Sequence, residues 1–148
     1  MTSRRTYLIV VGAIASIILT LSALGRSHSR AERPAAEEFG PGPRTSARGL
    51  YVATLQGATE LKARKMYTLQ ATIADPGGQP VTGASISVGG GMPQHGHGLP
   101  TRPRVTSELG DGAYEISGLR FNMGGWWELK LTITTPAGTD TVTFNLSL

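Results

Sequence analysis

Apolar and polar residues alternate along most of the chain after residue 50, with a period of two. This period places successive side chains on opposite faces of a strand, so each run predicts a β-strand with one buried face and one exposed face. Segments rich in glycine, proline and aspartate separate the runs and predict turns. The predicted strands are 51–55, 67–73, 84–88, 105–109, 113–116, 127–133 and 142–146.

About seven short strands in about 100 residues, with no amphipathic helix between them, are typical of a two-sheet sandwich. We therefore predict an all-β fold, an immunoglobulin-like antiparallel β-sandwich preceded by one N-terminal hydrophobic helix. Trp127 is in phase with Leu129 and is predicted to lie in the core. Trp126 then points to the opposite face, where it is either covered by another segment or part of a site.

The first 25 residues follow a different pattern. Arg4 and Arg5 precede an uncharged apolar run, residues 7–24, which is typical of an export signal. The run is longer than the usual signal-peptide core of about 7–15 residues and lies at the short edge of the about 17–25 residues of a membrane span. An uncleaved anchor is the preferred interpretation, with the two arginines in the cytoplasm. Cleavage after Gly25 is the alternative.

Three regions follow from these patterns. Residues 1–25 are predicted to be a signal anchor or signal peptide, and residues 49–148 the folded domain. Between them, residues 26–48 are rich in proline, alanine and glycine without any period, which predicts a flexible tether. The expected location is the inner membrane, single-pass with a periplasmic C-terminal domain, or the periplasm if the signal is cleaved. The inner membrane is then a partner of the N-terminal helix.

Charge and cysteine content narrow the possible functions. The formal charge of +4 comes from the N-terminal region, while basic and acidic residues cancel after Leu50. We therefore expect no nucleic-acid partner, since such a domain needs a basic face. The absence of cysteine excludes disulfides and thiolate metal sites. No catalytic triad, phosphate-binding glycine loop or close carboxylate pair is evident, so we do not expect an enzyme.

The segment 92–100 concentrates side chains that can bind a metal. Its glycine and proline content predicts a loop. His95 and His97 are two residues apart, and in an extended loop their rings would lie on the same side and could bind one ion. Met92 adds a thioether, and Met123 precedes the strand that starts at residue 127. Because loops at one end of a sandwich cluster, Met123 can face the histidines.

Two imidazoles with thioether sulfur suit copper, whereas zinc sites are built from cysteine, histidine and carboxylates. The sequence thus predicts a copper site, and the alternative is that the histidines are solvated and Met123 fills a gap in the core. Arg102 and Arg104 share one side of the next extended segment. Surface salt bridges are their expected role, with anion binding as the alternative.

Four sequence blocks, in order, resemble the FixH-like and YtkA-like domains of bacterial envelope proteins. The blocks are Met92 to Gly98, Pro103 to Thr106, Leu109 to Tyr114 and Phe121 to Trp127.

The resemblance extends over residues 47–148 and implies an immunoglobulin-like sandwich that is anchored or secreted. FixH-type proteins are linked to the assembly of copper-containing cytochrome oxidases, alongside a copper-transporting pump. The resemblance therefore implies copper-transport or oxidase-assembly proteins as partners. By motif position it implies a copper site made by Met92, His95, His97 and Met123.

Two functions remain open from the sequence. The first is an exported or membrane-anchored copper-binding accessory domain for copper delivery or cytochrome oxidase assembly. The second is a structural or interaction module of an envelope complex without metal. In the second case the loop around His95 and His97 would contact a protein together with Trp126.

Overall fold

The computed structural model describes residues 31–148, which form nine β-strands and one short 3-10 helix, Ala36–Glu38. The predicted N-terminal hydrophobic helix lies outside these residues. Within residues 31–148, no helix is long and apolar enough to cross a membrane. The strands are β1 (Arg44–Thr45), β2 (Val52–Gln56), β3 (Met66–Ala74), β4 (Ser85–Met92), β5 (His97–Gly98), β6 (Arg104–Gly110), β7 (Ala113–Arg120), β8 (Trp126–Thr135) and β9 (Gly138–Ser147).

The strands form two antiparallel sheets, which confirms the predicted all-β class. One sheet has five strands in the order β1-β2-β3-β7-β6, and the other has four in the order β5-β4-β8-β9. The inward side chains of both sheets form one hydrophobic core. The largest fully buried side chains are Trp127, Tyr51, Tyr114, Phe121, Phe144, Ile73, Ile116, Leu119, Leu129, Leu131, Ile133 and Val142.

Each strand predicted from the period of two corresponds to a strand of the structure. The two additional strands, β1 and β5, have two residues each, which is too short for any alternation to be visible. Trp127 is fully buried, as its phase predicts, and the adjacent Trp126 is also buried, with 4% of its surface exposed.

Two groups of loops lie at opposite ends of the sandwich. At one end, which we call the histidine end, β3 begins with Met66 opposite Arg120, the last residue of β7. The short loop 121–125 then connects Arg120, in the five-stranded sheet, to β8 in the four-stranded sheet. The histidine ends of the two sheets are therefore adjacent. The histidine end comprises loops 57–65, 93–103 and 121–125, and the far end comprises loops 46–51, 75–84, 111–112 and 136–137.

Part of the predicted tether lies against the folded domain. Gly40 donates its backbone N–H to the carbonyl of Asn145 in the four-stranded sheet, and Pro41 accepts from the N–H of Leu55 in the five-stranded sheet. Residues 39–46, which we call the strap, therefore bind both sheets. The lack of an apolar period over 26–48 predicts a flexible tether, but one aromatic residue, Phe39, and backbone hydrogen bonds are enough to attach residues 39–46 to the domain.

Phe39 also explains the environment of Trp126. The two rings meet edge to face, with 6.4 Å between their centroids. The Trp126 indole N–H donates to the side-chain oxygen of Asn145 at 2.9 Å. Of the two possibilities left by the sequence for Trp126, the structure shows a covered position on the outer face of the four-stranded sheet.

Candidate metal centre

The histidine pair lies in a tight turn and not in an extended loop. The carbonyl of Met92, the last residue of β4, accepts the backbone N–H of His95 at 3.0 Å and that of Gly96 at 2.9 Å. Gly96 has a φ of 68°, in the left-handed region that glycine adopts without strain. The chain thereby reverses, and His97 pairs with Met92 across β4 and β5. The turn still brings the two imidazoles together, with 6.0 Å between ring centroids.

The His97 ring is held in place from two sides. Its Nδ1 lies 3.1 Å from the carbonyl oxygen of Gly98. The ring also meets the Trp127 indole edge to face, at 5.5 Å between centroids, and Trp127 in turn packs on Phe121 at 5.2 Å. In the neutral tautomer with its proton on Nδ1, the ring donates that proton to the Gly98 carbonyl. The lone pair then lies on Nε2, which is the nitrogen available to a metal.

Met92 lies beneath the histidine turn. It has only 2% of its surface exposed, and as the cross-strand partner of His97 it faces the same side of the sheet. Its methyl carbon lies 2.8 Å from the position that a Cβ would occupy on Gly125. A side chain at position 125 would therefore displace Met92, which shows that the loop 121–125 closes directly over this thioether.

Met123 approaches the turn through its backbone. Its carbonyl accepts the Trp127 indole N–H at 3.1 Å, while 39% of its surface is exposed. The same indole therefore contacts His97 with one part of its ring and the loop 121–125 with its N–H. The structure brings Met92, His95 and His97 together in one turn, and it brings Met123 to the neighbouring loop with its side chain at the surface.

Comparison with known families identifies the chain at this point. The model of the YtkA-like family matches residues 47–132, more than half of the sequence. The chain belongs to the YtkA-like family. The matched residues include the turn, the loop 121–125 and both tryptophans, but neither the strap nor β9. No curated protein and no solved structure matches the chain.

The donor atoms of the YtkA-like domain favour a soft metal. Within residues 31–148, no three His, Cys, Asp or Glu side chains come close enough to hold an ion together. Two imidazoles combined with thioether sulfur are a donor set that suits copper, whereas zinc sites are built from cysteine, histidine and carboxylates. Two imidazoles that share an ion have ring centres roughly 5–6 Å apart, because each nitrogen lies about 2.0–2.1 Å from the metal. The separation of the His95 and His97 rings is at the upper end of this range.

An open pocket adjoins the turn on the outer face of the four-stranded sheet. It has a volume of about 360 Å³, and its lining includes His97, Gly90 and Gly91 of β4, Glu128 and Lys130. Glu128 and Lys130 form an ion pair at 2.8 Å. Glu128, a carboxylate that lines this pocket, thus already has a cation as its partner.

Sequence reasoning missed three parts of the candidate site, namely the Gly98 carbonyl, the Trp127 indole and the close approach at Gly125. The strand phase of Trp127 predicts only that it is buried. The pair Gly124-Gly125 before the two tryptophans is the one local signal, since glycine in such a position indicates close approach of another segment.

Proposed function

We propose that this YtkA-like domain is an exported, membrane-anchored accessory domain that binds copper and delivers it during the assembly of copper enzymes such as cytochrome oxidases. The bound ion would be held by His95 and His97, with thioether ligands from Met92 and Met123. The immunoglobulin-like assignment of the two sheets, the anchor in residues 1–25 and the periplasmic location of the domain are parts of the same proposal.

The orientation of His97 carries this proposal. Two contacts fix the ring, since one ring nitrogen lies at the Gly98 carbonyl and the ring packs on the buried Trp127 indole. Such outer contacts are typical of metal-binding histidines, whose second nitrogen is held by a carbonyl or carboxylate. The contacts of His97 with Gly98 and Trp127 provide this support, and the neighbouring His95 and Met92 provide further donors within the same turn.

The cargo role follows from the mixed exposure of these ligands. Met92 is buried, whereas His95 and Met123 lie at the surface. A site with exposed ligands on one side allows a partner to replace them one at a time. Such a site suits the transfer of an ion better than its permanent storage.

Copper titration of the purified protein tests the proposal. We expect one copper ion per chain, measured separately for Cu(I) under reducing conditions and for Cu(II), each against a competing chelator. His97→Ala should weaken binding by more than the roughly 10–100-fold typical of losing an outer-shell partner of a ligand. Thermal unfolding of the copper-free variant shows whether it has remained folded.

A matched pair of methionine variants separates the site from the rest of the surface. Met123→Leu and Met66→Leu are the same change at two exposed positions, with 39% and 60% of the residue surface accessible. Only Met123→Leu should lower the affinity for Cu(I). The proposal fails if copper does not bind at micromolar concentration, or if a His95→Ala/His97→Ala double variant binds as the wild type does.

The alternative, a metal-free interaction module, required Trp126 on the same contact surface as the histidine turn. Trp126 is covered by Phe39 and hydrogen-bonded to Asn145, so it is not available to a partner in this structure. The alternative therefore depends on the turn alone. Co-purification of a membrane partner that persists under chelation would favour it.

A further inference from the structure

The basic residues of the folded domain lie almost entirely at one end of the sandwich. Residues 50–148 contain seven lysines and arginines, and all but Lys130 are in the loops of the histidine end or at the strand ends next to them. The single carboxylate in these loops is Glu60. The six basic residues are Lys62, Arg64, Lys65, Arg102, Arg104 and Arg120.

These six side chains are exposed, and none forms a salt bridge with a carboxylate of residues 31–148. The predicted surface salt bridges of Arg102 and Arg104 are therefore not present. Of the seven acidic residues in 50–148, four lie at or near the far end, namely Asp75, Glu108, Asp111 and Asp140. Glu60 and Glu128 lie at or near the histidine end, and Glu115 lies within β7. The entering segment 31–49 carries three charges of each sign, from Glu32, Arg33, Glu37, Glu38, Arg44 and Arg48.

A pocket suited to an oxyanion lies within this basic end. It has a volume of about 280 Å³ and is lined by Arg102, Arg104, Thr106, Ser117 and Gly118. Two guanidinium groups can together donate several hydrogen bonds to a phosphate group, and arginine does so with two parallel bonds. The Thr106 hydroxyl donates to the Glu115 carboxylate at 2.6 Å. One carboxylate therefore adjoins the pocket, and the two guanidinium groups outnumber it.

Exposed thioethers accompany the charges. Met66, with 60% of its surface exposed, begins β3 at this end, and Met123 lies in the loop 121–125. Basic side chains interspersed with exposed apolar groups are typical of surfaces that bind at the interface of a lipid bilayer, where the cations meet phosphate groups and the apolar groups enter the headgroup region.

The chain also enters the domain near this end. Phe39 bridges to Asn145, close to the end of β9, and packs on Trp126, the first residue of β8. Fourteen residues, 25–38, separate the apolar run from Phe39. Random-coil statistics give an average span of about 20 Å for fourteen residues, and three of them form the 3-10 helix Ala36–Glu38. By comparison, β8 alone, with ten residues, is roughly 33 Å long. An anchor in the bilayer would therefore keep the histidine end close to the membrane and the far end away from it.

We propose that the histidine end of the sandwich docks on the phosphate headgroups of an anionic bilayer, so that the candidate metal centre faces the membrane surface. The orientation rests on the anchor that is part of the proposed function, but it does not depend on copper. A domain docked in this way presents His95 and Met123 to a partner embedded in the membrane. The site would then exchange its ion at the membrane surface and not in bulk solution.

Fluorescence quenching in bilayers tests this orientation. The chain contains no cysteine, so each single-cysteine variant carries one fluorophore at one exposed position. Thr59→Cys places the label at the histidine end, and Thr82→Cys places it at the far end. The copper-free full-length chain is reconstituted in bilayers that carry a nitroxide quencher on the lipid headgroups. With anionic lipid we expect stronger quenching of the label at position 59 than at position 82. The difference should decrease with neutral lipid or at high salt.

Charge variants provide the matched control. Each basic residue near an anionic membrane contributes about fivefold to the binding equilibrium. The double variant Arg102→Gln/Arg104→Gln should therefore lower the ratio of docked to undocked domains by about 25-fold. Arg44→Gln/Lys130→Gln removes the same net charge outside the basic end and should leave the quenching pattern as in the wild type.

Separate outcomes distinguish failure of the docking from failure of the anchor. If the full-length chain leaves the bilayers in a high-salt wash, the anchor is refuted. If the chain stays in the bilayers but both labels are quenched equally, or position 82 more strongly, the docking is refuted. Unequal quenching that is the same in neutral and anionic bilayers also refutes docking on anionic headgroups, and an acidic protein partner would then be the better candidate for the basic end.

Discussion

At the scale of single residues, Asp140 shows how one carboxylate joins two segments of the chain. Burial of this group acts to raise its pKa, but hydrogen bonds from the Ser46 hydroxyl and from the backbone N–H groups of Thr141, Arg48 and Leu50 outweigh that effect and lower the pKa from 3.8 to about 2. The ionised carboxylate thus holds the turn that precedes β2 against the start of β9.

This pKa shift predicts how stability depends on pH. A group whose pKa is lower in the folded protein stabilises it above the unfolded pKa, and this contribution is lost as the pH falls through the folded value. Asp140→Asn should therefore lower the urea midpoint at pH 7. The difference from the wild type should decrease as the pH falls from about 4 to about 2. Urea unfolding followed by circular dichroism at several pH values measures this.

Asp111→Asn is the control for Asp140. Asp111 is exposed and has a φ of 50°, a conformation that asparagine also tolerates. The urea midpoint of the Asp111→Asn variant should equal that of the wild type across the same pH range. A constant effect of Asp140→Asn at every pH would contradict the proposed role of the ionised carboxylate.

At the scale of secondary structure elements, β4 contains three consecutive glycines, and they are not equivalent. A Cβ on Gly90 would overlap the backbone carbonyl of Glu128 in β8, whereas a Cβ on Gly89 would have no atom within 4 Å. Gly90 also has a φ of 156°. The close approach of β4 to β8 at this point leads directly into Met92 and the histidine turn, so the position of the candidate metal centre depends on it.

Two alanine variants of β4 test this difference. Gly90→Ala should lower the free energy of unfolding by about 2–4 kcal/mol, because the new Cβ meets a backbone oxygen that cannot move without breaking the β4–β8 pairing. Gly89→Ala, one residue away and on the open face, should stay within about 0.5 kcal/mol of the wild type. Chemical denaturation gives both values, and equal effects of the two substitutions would show that the close approach is not as described.

At the scale of the whole molecule, the folded domain is larger than its family match. The match begins at residue 47, but the strap, residues 39–46, binds both sheets and covers Trp126. The strap also determines from which end the chain enters the domain. The proposed orientation on the membrane therefore depends on a segment that the family pattern does not include.

Phe39→Ala tests the contribution of the strap. Loss of the ring should lower the free energy of unfolding by about 1–2 kcal/mol. It should also shift tryptophan emission to longer wavelength, because Trp126 becomes exposed while Trp127 stays in the core. Phe39→Leu retains an apolar cover and should show a smaller change in both measurements. An unchanged spectrum and midpoint in Phe39→Ala would mean that the strap does not protect Trp126.

Much of the fold could be predicted because strands with one buried face leave a period of two in the sequence. This period predicts that Trp127 and Leu129 lie in the core, and both are fully buried. The strap could not be predicted in this way, since its attachment depends on backbone hydrogen bonds and on one aromatic ring. The candidate site was predicted in part. Residue types indicated its donors, but the turn geometry and the contacts of His97 with Gly98 and Trp127 depend on the pairing of β4 with β5.

The sequence by itself determined the class of the fold, the position of most strands and the family, because each of these depends on local alternation or on residues in a fixed order. Only the tertiary structure decided which side chains meet. It placed His97 on Trp127 and the loop 121–125 over Met92. It also separated the charges, since basic and acidic residues that cancel along residues 50–148 lie mostly at opposite ends of the folded sandwich. Antiparallel pairing is the physical reason, because it brings loops that are distant in the chain to the same end.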